Sequence, residues 1–166
     1  MSEEEVKREF KTKRDEDYYN KVMEHKEAVK RYMNKIVTSI KKRAESHDDT
    51  KLEEPEFTPM SKTYANLSTT TYGSDEYHEL LEELKEPLKC HYAKNRHHPE
   101  HFSKGIKDMN LIDLIEMLCD WYAATEKHDD GNIKTSIEHN KERFGFTKEL
   151  EQIFKNTIEF LDIKTE

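Results

Sequence analysis

Residues 111–124 are the most apolar stretch of the chain, and an aspartate, Asp120, stands inside it. A carboxylate left ionised and alone in an apolar interior costs several kcal/mol. Asp120 must therefore be paired or hold a cation, and any fold of this chain has to deliver the partner. Imidazoles are the candidates. The doublet His47-Asp48 lies upstream, His25 precedes it, and a histidine-rich patch over 91–101 lies between the doublet and Asp120. Imidazoles and carboxylates together suit Zn, Fe, Mn or Ni rather than Ca or Mg. The set reads as a metal site.

Of 166 residues, 33% are apolar and 39% charged. That supports one small helical bundle with solvated outer faces, not two cores. Only four Gly and four Pro interrupt Glu/Lys/Leu-rich stretches, so the expected class is all-α. A metal joining several helices would add stability that so thin a core lacks. The formal charge of −8 argues against a general duplex-DNA binder. It leaves a nucleotide substrate open, because a bound ion supplies the positive charge phosphates need. Basic residues before Ala44 are interleaved with acids and read as a solvated helix face. Cys90 and Cys119 form no pairing or zinc pattern and are expected to be buried, reduced thiols. The start, Met1-Ser2-Glu3-Glu4-Glu5, has no apolar signal core, and no segment approaches a membrane span. A soluble, cytoplasmic protein is expected.

Along the chain, 1–14 reads as a charged, frayed lead-in and 15–166 as a single helical domain. Tyr18, Val22, Val29, Met33, Ile36 and Ile40 recur at helical spacing, with His25 on the same stripe and so facing inward. The pattern fits one long helix to about Ala44 or two with a kink near Thr38-Ser39. Residues 52–73, with Pro55, Pro59 and Gly73, read as a loop with at most one short helix. Ser74 is the expected cap of a helix burying Leu80, Leu81, Leu84 and Leu88, which Pro87 could kink before His91. Pro99 makes 95–102 a turn that presents side chains. Asn110 and Asp113 form a capping pair for a helix over 111–126. Gly131 separates it from a helix near 133–143, and Thr147 caps a last helix to about Leu161.

The order His25, His47-Asp48, a downstream His, then Asp120 resembles the HD superfamily of metal-dependent phosphohydrolases. His47-Asp48-Asp49-Thr50-Lys51 is similar to the His-Asp-x-x-Lys version found in HD-GYP phosphodiesterases, some HD dinucleotide hydrolases and inositol oxygenase. His97-His98-Pro99-Glu100 ahead of Cys119-Asp120-Trp121 resembles the HD-GYP arrangement, although the Gly-Tyr-Pro signature is absent. Asn95-Arg96-His97-His98-Pro99-Glu100-His101-Phe102 with Met117-Leu118-Cys119-Asp120-Trp121 looks like a small, little-characterised HD branch. The resemblance implies an HD-like helical bundle with a central site for one or two divalent transition ions (Mn, Fe, Co, Ni or Zn). By that resemblance His25, His47, Asp48 and Asp120 would hold a first ion. His91 and His98 would hold a second, with Asp48 bridging. Such ions polarise a phosphoryl oxygen and acidify water. Asp48 and Lys51 would then be catalytic, with Lys51 on substrate phosphate.

Each residue also has a plainer reading. His25 suits a histidine hydrogen-bonded within the bundle, Asp48 a cap, and Asp120 a salt-bridge partner. His97 and His101 are expected at the surface or facing substrate, rather than on a metal. His78 and His139 are expected on solvated helices, and His128-Asp129 is a chance doublet. Asp113 and Glu116 share a face with Asp120 and suit supporting roles, while Trp121 and Tyr122 suit the core. The function implied is a phosphohydrolase or phosphodiesterase acting on a small nucleotide or related ester. An HD-fold di-iron oxygenase and a non-catalytic nucleotide-binding module are the alternatives. Substrate and oligomeric state are open.

Overall fold

The computed structural model describes residues 10–67, 79–80, 82–126 and 131–161. Among these there is no strand. Six helices follow in order: α1 (Lys13–Glu45), α2 (Phe57–Leu67), α3 (Lys85–Lys94), α4 (Leu111–Thr125), α5 (Ile133–Phe144) and α6 (Lys148–Phe160). Short 3-10 turns occupy Asp49–Leu52, Pro99–His101 and Gly105–Asp108. The all-α class is the one the composition requires. Two compact units divide the chain, Met1–Lys41 and Lys42–Glu166. That boundary falls inside α1, not at the change of composition near 14/15.

Helix α1 runs unbroken for 33 residues. The hydroxyls of Thr38 and Ser39 donate back to the carbonyls of Asn34 and Lys35 at 2.8 and 2.9 Å within this continuous helix, so of the two readings the structure takes one long helix. Asp15 and Glu16 in its first turn and Lys42 and Arg43 in its last suit the helix dipole. No residue of α1 is buried. Tyr18, Val22, Val29, Met33 and Ile36 are periodic but exposed, and so is His25. The inward placement of His25 is thereby corrected. Periodicity groups side chains on one face; it does not supply something to cover that face.

In the second unit the chain is organised around α4. Asn110 accepts hydrogen bonds from the Ile112 and Asp113 amides at 2.8 and 3.1 Å, and Asp113 accepts from the Asn110 amide at 3.0 Å. This is the capping box expected from the sequence. Met117, Leu118 and Trp121 of α4 enter a core with Ile133 and Ile137 of α5, Phe146, and Phe154 and Ile158 of α6. The Trp121 ring lies 5.9–6.3 Å from the rings of Phe144, Phe146 and Phe154. Tyr122 packs partly buried against the same cluster. Helix α5 ends at Gly145, whose φ of 65° is the left-handed C-terminal stop. Thr147 then caps α6 by accepting from the Leu150 amide.

Residues 79–80 and 82–83 are helical, Leu84 is a turn and α3 starts at Lys85. The helix is thus interrupted just before Pro87, which cannot donate to the residue-83 carbonyl and falls in the first turn of α3. Leu80 is buried, and Leu84 and Leu88 are half-buried. The expected Ser74 cap, Leu81 and the end of the 52–73 segment lie outside the described residues; among the described residues of that segment α2 is the one α-helix. Both cysteines are free, but Cys119 is exposed and Cys90 half-buried, which corrects the buried reading. Cys119 takes the third face of α4, which neither the core residues nor the carboxylates use. No helix among the described residues is long and apolar enough to cross a membrane.

Candidate metal centre

The doublet is positioned by backbone. His47 follows the end of α1, and Asp48 adopts φ 60°, ψ 14°. Aspartate enters this left-handed region more readily than most residues. The chain reverses there into the turn Asp49–Leu52, and the Lys51 amide donates to the Asp48 carbonyl at 2.8 Å. As a result His47 Nε2 and Asp48 Oδ2 lie 3.5 Å apart. His91 comes from α3, His97 and His98 from the turn before Pro99, and Asp120 from α4, one turn beyond Glu116.

These side chains converge. Asp48, His91, His97 and His98 form one group of possible ligands, and His47, Asp48, His97 and Asp120 form another. Within each group the ligand atoms all lie within 4.8 Å of one another. His47 Nε2 is 3.6 Å from Asp120 Oδ1. His91 Nε2 is 3.3 Å and His97 Nε2 3.5 Å from Asp48 Oδ1. His91 Nε2 also faces His98 Nε2 at 2.9 Å. Neighbouring ligands on an ion about 2.1 Å away stand roughly 3.0–3.4 Å apart, so the spacing fits a coordination shell.

Buried carboxylates aim the imidazoles. Glu116 Oε1 lies 3.0 Å from His47 Nδ1 and 3.2 Å from His97 Nδ1. Glu56, fully buried, lies 2.8 Å from His91 Nδ1. Each carboxylate accepts a hydrogen bond from Nδ1–H and so turns Nε2 toward Asp48, the usual support of metal-bound histidine. The carboxylates are held in turn. Arg43 bonds Glu116 and lies 3.3 Å from Asp113, which Arg96 grips with two bonds of 2.9 and 3.1 Å. Thr50 donates to Glu56 at 2.9 Å, and Asn95 donates to Thr50 at 2.7 Å.

Two atoms test whether a cation fits. His97 Nε2 and Asp48 Oδ1 are buried without a hydrogen-bond partner, yet they face each other. Neither carries a proton for the other if His97 Nδ1 is protonated toward Glu116. A lone pair facing a carboxylate oxygen is unfavourable unless a cation lies between them. The donor set, imidazole and carboxylate, belongs to transition ions. One imidazole nitrogen has one lone pair and serves one ion, whereas the two oxygens of Asp48 can serve two. Oδ1 faces His91 and His97, and Oδ2 faces His47 and the Lys51 ammonium, 2.6 Å away.

The electrostatics of the protein groups themselves tell the same story. Hydrogen bonds to Asp120 and then Glu116 push His47 up to about 10, so a proton stands in for a cation there. Burial would raise Asp48 and Asp120, but Lys51 on the first and His47 on the second hold both below the usual carboxylate range. Glu116 is held far down against its burial by His47, His97 and Arg43. Burial, then the charges of His97 and His91, drives His98 down to about 3. Burial likewise lowers His91. Neutral imidazole is the form that binds metal.

The sequence-derived set is thus mostly assembled. His47, Asp48, His91, His98 and Asp120 meet, with Lys51 paired to Asp48 at the rim. His25 belongs to neither group and is exposed in the first unit. His97, expected at the surface or facing substrate, is 1% exposed and belongs to both groups. Pro99 fixes extended backbone at His98 and a tight turn after it, and the docking of that turn places the pair inward. His101 is in neither group; its Nδ1 bonds the Tyr92 carbonyl at 3.2 Å, and it lines a separate groove of about 490 Å³. His139 is exposed as expected. His78 and His128 lie outside the described residues. Glu56, Thr50, Asn95 and Arg43 were not foreseen. Glu56 follows Pro55 in a segment with no periodicity, and only its carboxylate hinted at a role.

A carboxylate- and histidine-lined centre in an all-α protein is the class that fold and geometry define. Residues 14–162 match a family of unknown function, DUF5662, and the chain belongs to that family. No curated protein and no solved structure matches it.

Proposed function

We propose that this protein is a metal-dependent hydrolase of phosphate esters, built on an HD-type ligand set and acting on a small nucleotide or related ester. The observation that carries the reading is the pair of ligand groups meeting at Asp48, whose two oxygens face different histidines. His47, Asp120 and one Asp48 oxygen would hold one ion; His91, His97, His98 and the other oxygen would hold the second. Ions there would polarise a phosphoryl oxygen and make water acidic enough to react near neutral pH.

The chain's own groups supply the rest. Glu116 and Glu56 orient the imidazoles, so little reorganisation is needed when a substrate arrives. Lys51, partly exposed, offers an ammonium to a phosphate oxygen, and its pairing with Asp48 keeps it at the rim. Hydrolysis adds water across the ester: a new P–O bond forms, the bond to the leaving group breaks, and the leaving oxygen takes a proton. Two free thiols suit a reducing compartment such as the cytoplasm.

The test starts with elemental analysis of protein purified without chelator, followed by a panel of phosphomonoesters and phosphodiesters. We expect up to two transition ions per chain, activity abolished by chelation, and recovery with Mn, Fe, Co or Ni. Asp48→Ala should lose both ions and turnover, His91→Ala should keep about one ion, and Lys51→Ala should keep both while turnover falls. Full hydrolysis by chelated protein or by Asp48→Ala would end the proposal. An iron-loaded protein that hydrolyses nothing but consumes oxygen would turn it toward oxygenase chemistry.

A further inference from the structure

Helix α1 carries an apolar face that none of its residues buries: Tyr18 is 71% exposed, Val29 41%, Met33 60% and Ile36 44%. A helix of 33 residues is about 50 Å long. Helical stability in proteins comes mainly from packing such a face, since propensity alone leaves helices marginal in water. We propose that this face pairs with the same face of a second copy of the chain, in an antiparallel two-helix contact whose twofold axis passes near Val29.

Charge chooses both the partner and its direction. All five acids of α1 up to residue 41, Asp15, Glu16, Asp17, Glu24 and Glu27, precede Val29. After it stand Lys30, Arg31, Lys35 and Lys41 with no acid among them. Parallel pairing would set one uniformly basic half against another and is opposed by like-charge repulsion. Antiparallel pairing sets each basic half against a mixed half in which five acids face four bases, Lys13, Arg14, Lys21 and Lys26. Centred on Val29, it matches apolar with apolar: Tyr18 meets Ile40 of the second copy, Val22 meets Ile36, and Val29 meets itself. It also brings Asp17 beside Lys41 and Glu27 beside Arg31. The recurrence of apolar residues at three and four is the seam such pairs use, and opposed helix dipoles favour it. A single self-complementary face closes as a dimer and does not propagate.

Sedimentation equilibrium of the full chain in low salt tests this without reference to any activity. A dimer is expected, weakening as salt is raised. Val29→Glu places two carboxylates against each other at the axis and should raise the dissociation constant by about 100-fold or more, with helicity by circular dichroism preserved. Lys41→Glu should weaken the dimer several-fold, and adding Asp17→Lys to it should restore most of that loss. This charge swap does not depend on how Val29→Glu folds. A chain that stays monomeric at about 100 µM would overturn the proposal. So would a dimer indifferent to Val29→Glu. A dimer that the Asp17→Lys and Lys41→Glu swap fails to rescue would overturn the antiparallel arrangement.

Discussion

Helix α1 repeats apolar side chains over 33 residues and buries none, whereas α4 buries Asp113, Met117, Leu118 and Trp121 with 15. The difference lies in what each face meets. One face of α4 enters an aromatic and aliphatic core, and the next carries Asp113, Glu116 and Asp120, each matched by a cation or imidazole. Burial there rests on partners from other segments of the chain. Up to Lys41, α1 shows the same periodicity with its apolar side chains exposed, and its ion pairs there, such as Lys13–Asp17, are solvent-exposed. Exposed pairs of that kind contribute little.

The sharpest way to break the comparison is to remove a carboxylate from each helix. Asp113 is fully buried and is shared by Arg96, Arg43 and the Asn110 amide. Asp113→Ala removes the acceptor shared by Arg96 and the Asn110 amide and leaves Arg43 with Glu116 alone, and should cost about 2–4 kcal/mol in urea unfolding. Glu24→Ala, at an exposed position of α1, should cost less than about 0.5 kcal/mol. Similar small losses for both would mean that the paired face of α4 contributes no more than a solvated one.

A smaller, diagnostic effect is pH dependence in chelator-treated protein. His98, ordinarily near 6.5, is pushed down to about 3, chiefly by burial. Between those values the unfolded chain binds the proton and the native one does not, so stability falls as pH drops through this window. The depressed carboxyls of Asp48, Asp120 and Glu116 act in the same direction at lower pH. His47 has the opposite sign. Raised to about 10, it contributes fully below 6.5 and its contribution is lost as pH rises through 10. Thermal melts should therefore show losses on both sides of a near-neutral optimum, and His98→Gln should flatten the acid limb. An unchanged acid limb in that variant would remove His98 as its cause.

The same contrast explains how much of the molecule was legible in the sequence. Local signals worked: the Asn110 and Asp113 box, Thr147, the Pro99 turn and the helices between them all stand where propensity and spacing put them. The doublet, His91, His98 and Asp120 were legible because their side-chain types suit one chemistry. Glu56 and Arg43 were not, because their roles depend on which segments meet, and spacing along one helix carries no such information. His97 was misjudged for a related reason. Its exposure is decided by how the 95–102 turn docks, not by the turn itself. His25 failed in the reverse sense: its stripe was correctly placed on α1, but a stripe is only half of a contact.

The smallest effect compares two caps of similar chemistry. Thr12 accepts the Asp15 amide at 3.2 Å at the start of α1, and Asn110 accepts two amides at the start of α4. An isolated cap is worth about 1 kcal/mol in either place. Asn110→Ala removes the acceptor of the Ile112 and Asp113 amides while the residue-110 amide still donates to Asp113, and α4 is packed against the core on the turns that follow. The helix start cannot open without disturbing that packing, so Asn110→Ala should lower global stability by about 1–2 kcal/mol. Without Thr12, the first turn of α1 can fray into solvent while the rest of the protein stays folded. Thr12→Ala should therefore leave the urea midpoint almost unchanged and instead speed hydrogen exchange at the first amides of α1. Equal midpoint shifts for the two variants would show that the start of α1 is coupled to global unfolding as tightly as that of α4, and would erase the contrast between the two helices.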